Sequence, residues 1–355
     1  MVVLDAPVRL DGDRRHLGRA MALWLLLALV AVSVLSLGSG ASGVSVPGML
    51  GDWWAGRPVA ATDRVVLVHI RMPRLLTGLL VGAALAVSGA VMQGLFRNPL
   101  ADPDLLGVSA GAGLGAVAAI VLGGALPPAI LAWAGWNLVP LAAFGGGWVA
   151  MMALYQIATR QGRTSVATML LAGIALAAMA GAVSGLIVYR STDDQLRDLT
   201  FWGMGSLAGT GWARLAVAGP VILAGLICAP FLARGLNGLA LGEAAAAHAG
   251  IEVQRVKAAA ILATAAATGA SVAISGGIGF VGIVVPHLLR LVQGPDHRWL
   301  LVNAGLLGAT ALVAADMASR SVVAPAELPI GIVTALVGGP FFLWVLLSNR
   351  RMIEP

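Results

Sequence analysis

Long stretches without a single charged residue are the feature that most constrains the fold of this chain. Residues 105–159, for example, contain no Asp, Glu, Lys, Arg or His. A helix needs about 20 apolar residues to cross the hydrocarbon core of a bilayer. This stretch is therefore long enough for two crossings, and the sequence GALPP at 124–128 is the natural break between them. Because backbone groups in hydrocarbon must be hydrogen-bonded within their own segment, these stretches predict transmembrane helices.

The composition excludes a water-soluble protein. Of the 355 residues, 59% are hydrophobic and 11% are charged, whereas soluble domains carry about 25% charged residues. The net charge of +6 does not indicate a nucleic-acid partner, because the basic residues form short clusters between apolar runs. Cys228 is the only cysteine and the five histidines are scattered. We therefore expect no disulfide within the chain, no metal site and no catalytic constellation.

Ten stretches of the chain have the length and polarity of membrane spans. The first of them follows a long polar segment and is itself long enough to span a bilayer, so we interpret it as a retained helix and not as a signal peptide. The predicted fold is an all-α integral membrane protein with about ten transmembrane helices. The predicted spans are 20–37, 75–96, two within 105–159, and stretches near 167–188, 213–233, 258–276, 279–293, 300–318 and 329–347.

The polar segments predict a tail at 1–19, a single transmembrane domain at 20–349 and a second tail at 350–355. An even number of helices places both termini on one side of the membrane. With the termini in the cytoplasm, fourteen of the 22 Lys and Arg residues lie inside and eight lie outside, which agrees with the positive-inside rule. If the domain is a duplicated five-helix unit, the odd number of helices requires the two halves to be inverted.

The chain carries no obvious energy source of its own. It has no P-loop lysine motif, and its apolar stretches are nearly free of acidic residues, which ion-coupled transporters normally keep within the membrane. We therefore expect a partner to supply the energy through a cytoplasmic contact. The sequence LGEAAAAHAGIEVQRVK at 241–257 predicts a short helix that ends at Gly250. It lies in the longest polar cytoplasmic loop, at about 234–257; the alternative is an ordinary connector.

Four blocks of sequence resemble, in the same order, the FecCD-type permease subunits of bacterial ABC importers for iron chelates, haem and cobalamin. They are RMPRLLTGLLVGAALAVSGAVMQGLFRNPLADPDLLGVSAGAGLGA at 71–116, LGEAAAAHAGI at 241–251, GFVGIVVPHLLRL at 279–291 and AELPIGIVTALVGGPFFLWVLL at 326–347. The resemblance implies a homodimeric permease of two ten-helix subunits in the bacterial inner membrane. Its expected partners are a second copy of the chain, membrane lipid, two ATP-binding-cassette ATPase subunits and a periplasmic substrate-binding protein. The chain is then not an enzyme and holds no permanent cofactor, because the partner subunits use the ATP.

The resemblance also implies three groups of functional residues. They are Gly242, Glu243, Ala244, Ala245, His248 and Gly250 for coupling to the ATPase, Ser165, Val166, Ala167 and Thr168 for the translocation gate, and Arg71, Arg74 and Arg320 for docking of the binding protein. Polar residues recur at this gate in the cobalamin permease, whereas its centre here is Val166–Ala167. For the three arginines, the alternative is anchoring to lipid phosphates.

The polar stretch RNPLADPDLLGVSAGAG at 97–113 predicts a cytoplasmic corner between the second and third spans. Asn98 and Asp102 each precede a proline, which disfavours the helical conformation, and we expect Asp104 to cap the next helix. The charges of this corner are expected in water or among headgroups. The corner is either a simple turn or part of the surface on which the ATPase packs.

Two features bear on the substrate. The sequence at 94–116 resembles haem permeases more than cobalamin permeases, which tend to carry an acid in place of Arg97. We therefore expect haem, with a siderophore or cobalamin as alternatives and a stand-alone secondary transporter as a more remote one. The aromatic stretch at 201–212 lies at the predicted outer mouth. We interpret it as an interfacial anchor, and contact with a flat aromatic ligand is the alternative.

Overall fold

The computed structural model describes residues 15–40, 46–56, 60–103 and 107–348 of the chain. Within these residues it contains fifteen α-helices and one antiparallel hairpin of two short strands, β1 (Thr159–Arg160) and β2 (Arg163–Thr164). The helices are α1 (Arg15–Gly38), α2 (Val46–Trp54), α3 (Ala61–Val65), α4 (Met72–Phe96), α5 (Val108–Leu122), α6 (Pro128–Ala134), α7 (Leu138–Ala158), α8 (Val166–Val188), α9 (Asp193–Gly203), α10 (Trp212–Ala240), α11 (Glu243–His248), α12 (Val253–Ser275), α13 (Val281–Gln293), α14 (His297–Ser321) and α15 (Ile330–Ser348). The predicted all-α fold is confirmed.

Eight helical segments among the described residues are long and apolar enough to cross a membrane, and each overlaps a predicted span. The other two predicted spans form shorter apolar helices, α13 and α15. α13 has 13 residues, which corresponds to about 20 Å of helix, whereas the hydrocarbon core is about 30 Å thick. The sequence predicted about ten transmembrane helices, and the described residues hold eight spanning segments and two shorter apolar helices at the predicted positions. α13 is short because the glycine-rich segment 276–280 before it is not helical.

Helix α4 lies at the centre of the bundle, and the helices α10, α12, α13 and α14 pack around it. Its contact with α14 is a contact between backbones, because a Cβ atom on Gly82 would overlap the carbonyl oxygen of Gly308 and a Cβ atom on Gly308 would overlap that of Gly82. Gly89 of α4 meets Gly282 of α13 in the same way. Small residues thus allow close helix packing at these sites, as is common for helices in lipid.

A second group of helices packs beside this centre. α5 lies against α7 and α8, and α12 contacts both α5 and α7. The contact of α5 with α7 again joins two backbones, at Gly111 and Gly146. α8 is the exception in the group. Only 6% of the residues in its most apolar stretch of 18 are buried, against 72% for the corresponding stretch of α12. The described chain therefore leaves most of the surface of α8 open to lipid or to a partner.

The two ends of the bundle can be named by the residues that mark them. At one end, which we call the Arg71 end, α1 ends and α4 begins, and Arg71 donates a hydrogen bond to the Leu37 carbonyl. At the opposite end, which we call the His297 end, α4 ends and α14 begins, and His297 lies beside Gly94. α1 also begins at the His297 end, where Gly18 contacts Trp299.

The corner after α4 differs from the expectation at one residue. Arg97 adopts a left-handed conformation with φ of 52°, and the Leu100 amide donates to the Asn98 side chain at 2.9 Å, so the chain turns as its prolines predict. Asp102, however, is half-buried between the buried residues on either side of it. Its carboxylate lies 2.9 Å from the position of a Cβ atom on Gly282, at the start of α13.

The placement of Asp102 has a physical reason. The first turn of a helix carries unpaired amide groups and a partial positive charge, so a carboxylate beside the start of α13 is stabilised there. The expectation that the charges of this corner lie in water is therefore corrected for Asp102. The predicted cap residue Asp104 lies outside the described residues, as do the tail residues 1–14 and 349–355.

The backbone contact of α4 with α14 predicts a strong effect of a single methyl group. We expect Gly82→Ala to lower the free energy of unfolding by about 1–3 kcal/mol, because the added carbon has no space beside the Gly308 carbonyl. Gly145→Ala is the matched control, since no atom lies within 4 Å of its Cβ position. Thermal unfolding of the purified variants in detergent measures the difference. Equal melting temperatures of the two variants would contradict the packing described for α4 and α14.

Candidate functional site

The predicted coupling segment forms a short helix at the His297 end. α10 ends at Ala240, and Gly242 then turns the backbone with φ of 106° before α11 begins at Glu243. The chain reverses again after α11 at Gly250, where φ is 76°. Both values of φ are ones that glycine adopts at little steric cost. The sequence-based prediction of a short helix ended by Gly250 is confirmed.

Most of α11 faces away from the bundle. Ala246 is its one buried residue, and its carbonyl accepts a hydrogen bond from the Ile251 amide at 3.0 Å. The predicted coupling residues on the open side are exposed, and they are Glu243, Ala244, Ala245, His248 and Gly250, with Gly242 half-buried. A row of alanines on an exposed helix offers a narrow, apolar surface that fits a groove on another protein.

Lys257, in the second turn of α12, connects α11 to the segment that precedes the predicted gate. Its ammonium Nζ lies 2.8 Å from the Glu243 Oε1 atom and donates to the Thr164 carbonyl oxygen at 2.8 Å. The Thr164 amide donates to the Gln254 Oε1 atom at 2.9 Å. Both backbone groups of Thr164 are therefore bound by side chains of α12.

The predicted gate follows directly after this hairpin. Left-handed residues Gln161 and Gly162 form its turn, and Ser165 is the N-cap of α8, with its Oγ atom accepting from the Thr168 amide at 3.3 Å. The Ser165 amide donates to the Ala158 carbonyl at 2.9 Å, which closes the hairpin. Ser165, Ala167 and Thr168 are exposed and Val166 is half-buried. The structure thus brings the predicted gate and the predicted coupling helix to the same end of the bundle.

A second polar cluster ties four helices together at the His297 end. Arg290 of α13 donates to the Gln93 side chain of α4. Asn237 of α10 donates to the Asp296 carboxylate at 2.7 Å and accepts from the His297 amide at 3.0 Å. Arg290, which lies in the sequence block at 279–291, thus joins α13 to α4, and Asn237 joins α10 to the start of α14.

The three predicted docking arginines lie together at the Arg71 end, with acidic partners that the sequence did not identify. Arg74 binds Asp316 through Nε at 3.0 Å and Nη2 at 2.8 Å, and Glu327 through Nη1 at 2.9 Å. The Nε atom of Arg320 lies 3.1 Å from the other oxygen of Asp316. The side chains of Arg74, Asp316 and Arg320 are 11%, 4% and 8% exposed. The i,i+4 spacing of Asp316 and Arg320 on one helix was a sequence signal that could have predicted their ion pair.

The same arginines also hold the end of α1. Arg320 donates to the Ser39 carbonyl at 3.0 Å and to the Ser36 hydroxyl at 3.0 Å, while Arg71 donates to the Leu37 carbonyl. The last carbonyls of a helix have no partner within the helix, so these guanidinium groups satisfy them. Docking through the arginines stays a prediction, to which the structure adds that Arg71, Arg74 and Arg320 are buried and engaged within the chain.

A cavity of about 440 Å³ opens at the aromatic stretch of the predicted outer mouth. Its lining includes the aromatic side chains Trp136, Phe201 and Trp202 and the charged side chains Asp198 and Arg214. An apolar cavity of about 400 Å³ adjoins it and shares Arg214. The aromatic stretch therefore borders an open space as well as the surface, whereas Trp212 at its far end donates to the Val68 carbonyl at 2.8 Å.

The charge network at the Arg71 end predicts a large difference between two acidic residues. We expect Asp316→Asn to lower the free energy of unfolding by about 3–5 kcal/mol, because Arg74 and Arg320 then share no buried counter-charge. Glu252→Gln is the control: its ion pair with Arg255 is exposed on both sides, and such pairs contribute about 0–1 kcal/mol. Thermal unfolding in detergent compares the two. A similar small effect of both changes would mean that the network does not stabilise the fold.

Comparison with known proteins agrees with this geometry. The chain matches the FecCD transport family over residues 26–348. It is 44% identical to the hemin transport system permease protein HmuU of Yersinia pestis, over 94% of this chain and 97% of that protein. It is also 44% identical to the vitamin B12 import system permease protein BtuC of Shigella boydii, over 93% of this chain and 94% of that protein. A solved structure described as an inward-facing conformation of a metal-chelate type ABC transporter superposes with a TM-score of 0.81 at 32% identity, over 93% of this chain and 99% of that one. The chain therefore belongs to the FecCD transport family and is a permease of an ABC importer.

Proposed function

We propose that this permease carries haem from the periplasm to the cytoplasm. The proposed assembly contains two copies of the chain, two ATPase subunits that hydrolyse ATP, and a periplasmic substrate-binding protein, with both termini of the chain in the cytoplasm. Haem is favoured by the resemblance of the sequence at 94–116 and by the 44% identity to the hemin permease. The equal identity to a cobalamin permease keeps cobalamin as the alternative, together with a siderophore.

The observation that carries the ATP-driven part of this proposal is the exposed helix α11. It is a short, alanine-rich helix held between two left-handed glycines, and all its residues except Ala246 are exposed in the described chain. Such a helix suits insertion into a groove on an ATPase subunit.

The acidic residue that lies within a described span supports the same reading. Asp316 is bound by both Arg74 and Arg320, so it does not serve as an exchangeable proton or sodium site without breaking a buried network. This favours a permease powered by ATP over the secondary transporter.

A second copy of the chain is expected to cover α8. This helix is apolar along its length and only 6% of its most apolar window is buried, yet its first turn carries the predicted gate residues. Two copies of α8 facing each other would place both gates along one central pathway.

Docking through the buried arginines requires acidic residues of the binding protein to compete with Asp316 and Glu327 for them.

The energy source can be tested in proteoliposomes that contain the permease with its ATPase subunits. We expect uptake to require ATP on the side of α11 and to continue when an uncoupler collapses the proton gradient. The control omits ATP and imposes the gradient alone. Uptake that stops with the uncoupler while ATP is kept constant would favour the secondary transporter.

The substrate can be tested with the same vesicles and the substrate-binding protein. We expect haem to be taken up at least about tenfold faster than cyanocobalamin or a ferric siderophore at equal concentration, the ratio expected when one substrate gains about 1.4 kcal/mol more binding. Vesicles with a complex that does not hydrolyse ATP give the background. Faster uptake of cobalamin or of the siderophore would replace haem by that substrate.

A further inference from the structure

Lys257 is unusual in this chain on two counts. It is the only lysine among the 22 basic residues, all the others being arginines. It is also among the most buried of the large side chains, at 2% exposed. Burial of an ammonium group costs several kcal/mol unless hydrogen bonds and a counter-charge satisfy it. The position is therefore maintained by specific partners and not by apolar packing.

The partners of Lys257 belong to two different pieces of the permease. Glu243, at 2.8 Å, is the first residue of α11 and its side chain is 44% exposed. Thr164, whose carbonyl accepts at 2.8 Å, is the last residue of β2 and directly precedes the N-cap of α8. A lysine suits this place, because its compact ammonium donates in several directions, whereas the planar guanidinium of arginine requires more space.

The helix that carries Lys257 is held firmly by its neighbours. α12 packs against α4, α5, α7 and α10, and 72% of its most apolar window is buried. α11 and the hairpin of β1 and β2 are short, and they touch this packing at its edge: α11 contacts α10 and α12 on the side of its one buried residue, Ala246, and the hairpin contacts α7 and α12. A movement of α11 therefore changes the position of the Glu243 carboxylate relative to a fixed Lys257.

We propose that Lys257 is the positioning residue through which displacement of α11 reaches the start of α8. When Glu243 moves, the buried ammonium must stay satisfied, and it does so by changing its hold on the Thr164 carbonyl. Because Thr164 is joined by one peptide bond to Ser165, the first turn of α8 moves with it. The inference rests on the proposed function, since it requires an ATPase subunit that moves α11.

The first test uses the chemistry of a sole lysine and needs no transport. In the assembled complex, an amine-reactive reagent labels this chain only at Lys257 and at its N-terminus, and peptide mass spectrometry separates the two. We expect slow labelling of Lys257 in the wild type and about tenfold faster labelling in Glu243→Gln, because the buried ammonium loses its counter-charge. Arg298→Gln, an exposed residue of α14, is the control with unchanged labelling. Equal labelling of Lys257 in all three proteins would overturn the link.

The second test separates positioning from folding. Lys257→Met keeps the length of the side chain and removes the ammonium. We expect the complex to hydrolyse ATP at near the wild-type rate and to bind the ATPase subunits, while the amount of substrate moved per ATP falls about tenfold. Because Glu243 is also a predicted contact of the ATPase, Lys257→Met is compared with the wild type and not with a Glu243 variant. Wild-type coupling in Lys257→Met would overturn the proposal.

The third test reads the position of the gate itself. A cysteine at Ala167, in a Cys228→Ser background, reports exposure of the first turn of α8. We expect its reactivity to change when ATP is trapped in the ATPase subunits, and to stay constant when Lys257→Met is also present. A change of equal size in both would overturn the proposal.

If the complex moves no substrate at all, the proposed function fails, whereas the lysine labelling still decides whether Lys257 joins α11 to the gate. If Lys257→Met does not fold, the labelling of Lys257 in Glu243→Gln still tests the link between Lys257 and α11.

Discussion

The backbone contact between α4 and α14 is the interaction on which the rest of this structure depends. In lipid, apolar side chains gain nothing by leaving water, so helices associate through close packing and polar contacts. Gly82 and Gly308 allow the two backbones to touch. That approach places Arg74 opposite Asp316 at one end of the pair and brings His297 to the last turn of α4 at the other. The cluster around Arg74 and Asp316 and the cluster around His297 thus lie at the two ends of one glycine-mediated contact.

The two ends hold their charges in different ways. At the Arg71 end, Asp316 is 4% exposed and lies between two arginines that are also buried. At the His297 end, Lys257 is buried but its partner Glu243 is 44% exposed. Separation of a fully buried pair leaves charges without water, whereas Glu243 returns to solvent when it leaves Lys257, so the second pair separates at lower cost. The Arg71 end is therefore built as a fixed structure, and the His297 end as one that can rearrange.

The sequence predicted the parts of the fold that depend on local composition. The uncharged stretches located all ten apolar helices, because length and polarity alone decide what can lie in hydrocarbon. The glycine at 250 located the end of α11 for the same local reason. The predicted span at 279–293 begins two residues before α13 and ends with it.

The polar contacts at the two ends of the bundle were beyond the sequence because they join distant residues. Lys257 and Thr164 are separated by 93 positions, and Arg74 and Asp316 by 242; nothing in local composition pairs them. Asp102 was placed in water because it follows a run of turn-forming residues, yet the start of α13 gives it a favourable site inside the bundle. A lysine in a chain that otherwise uses arginine was a signal in the sequence, but its meaning required the structure.

The packing of α12 determines how a signal can travel at the His297 end. A helix enclosed by four others cannot slide or tilt without disturbing every contact around it. Movement of α11 is therefore not passed on by α12 as a rigid lever. It reaches the hairpin through side chains that extend from α12, and among those only the ones that bind both pieces can carry it. Lys257 binds α11 and the hairpin, whereas Gln254 binds the hairpin alone. Gln254 thus keeps Thr164 on α12, and Lys257 makes the position of Thr164 depend on α11.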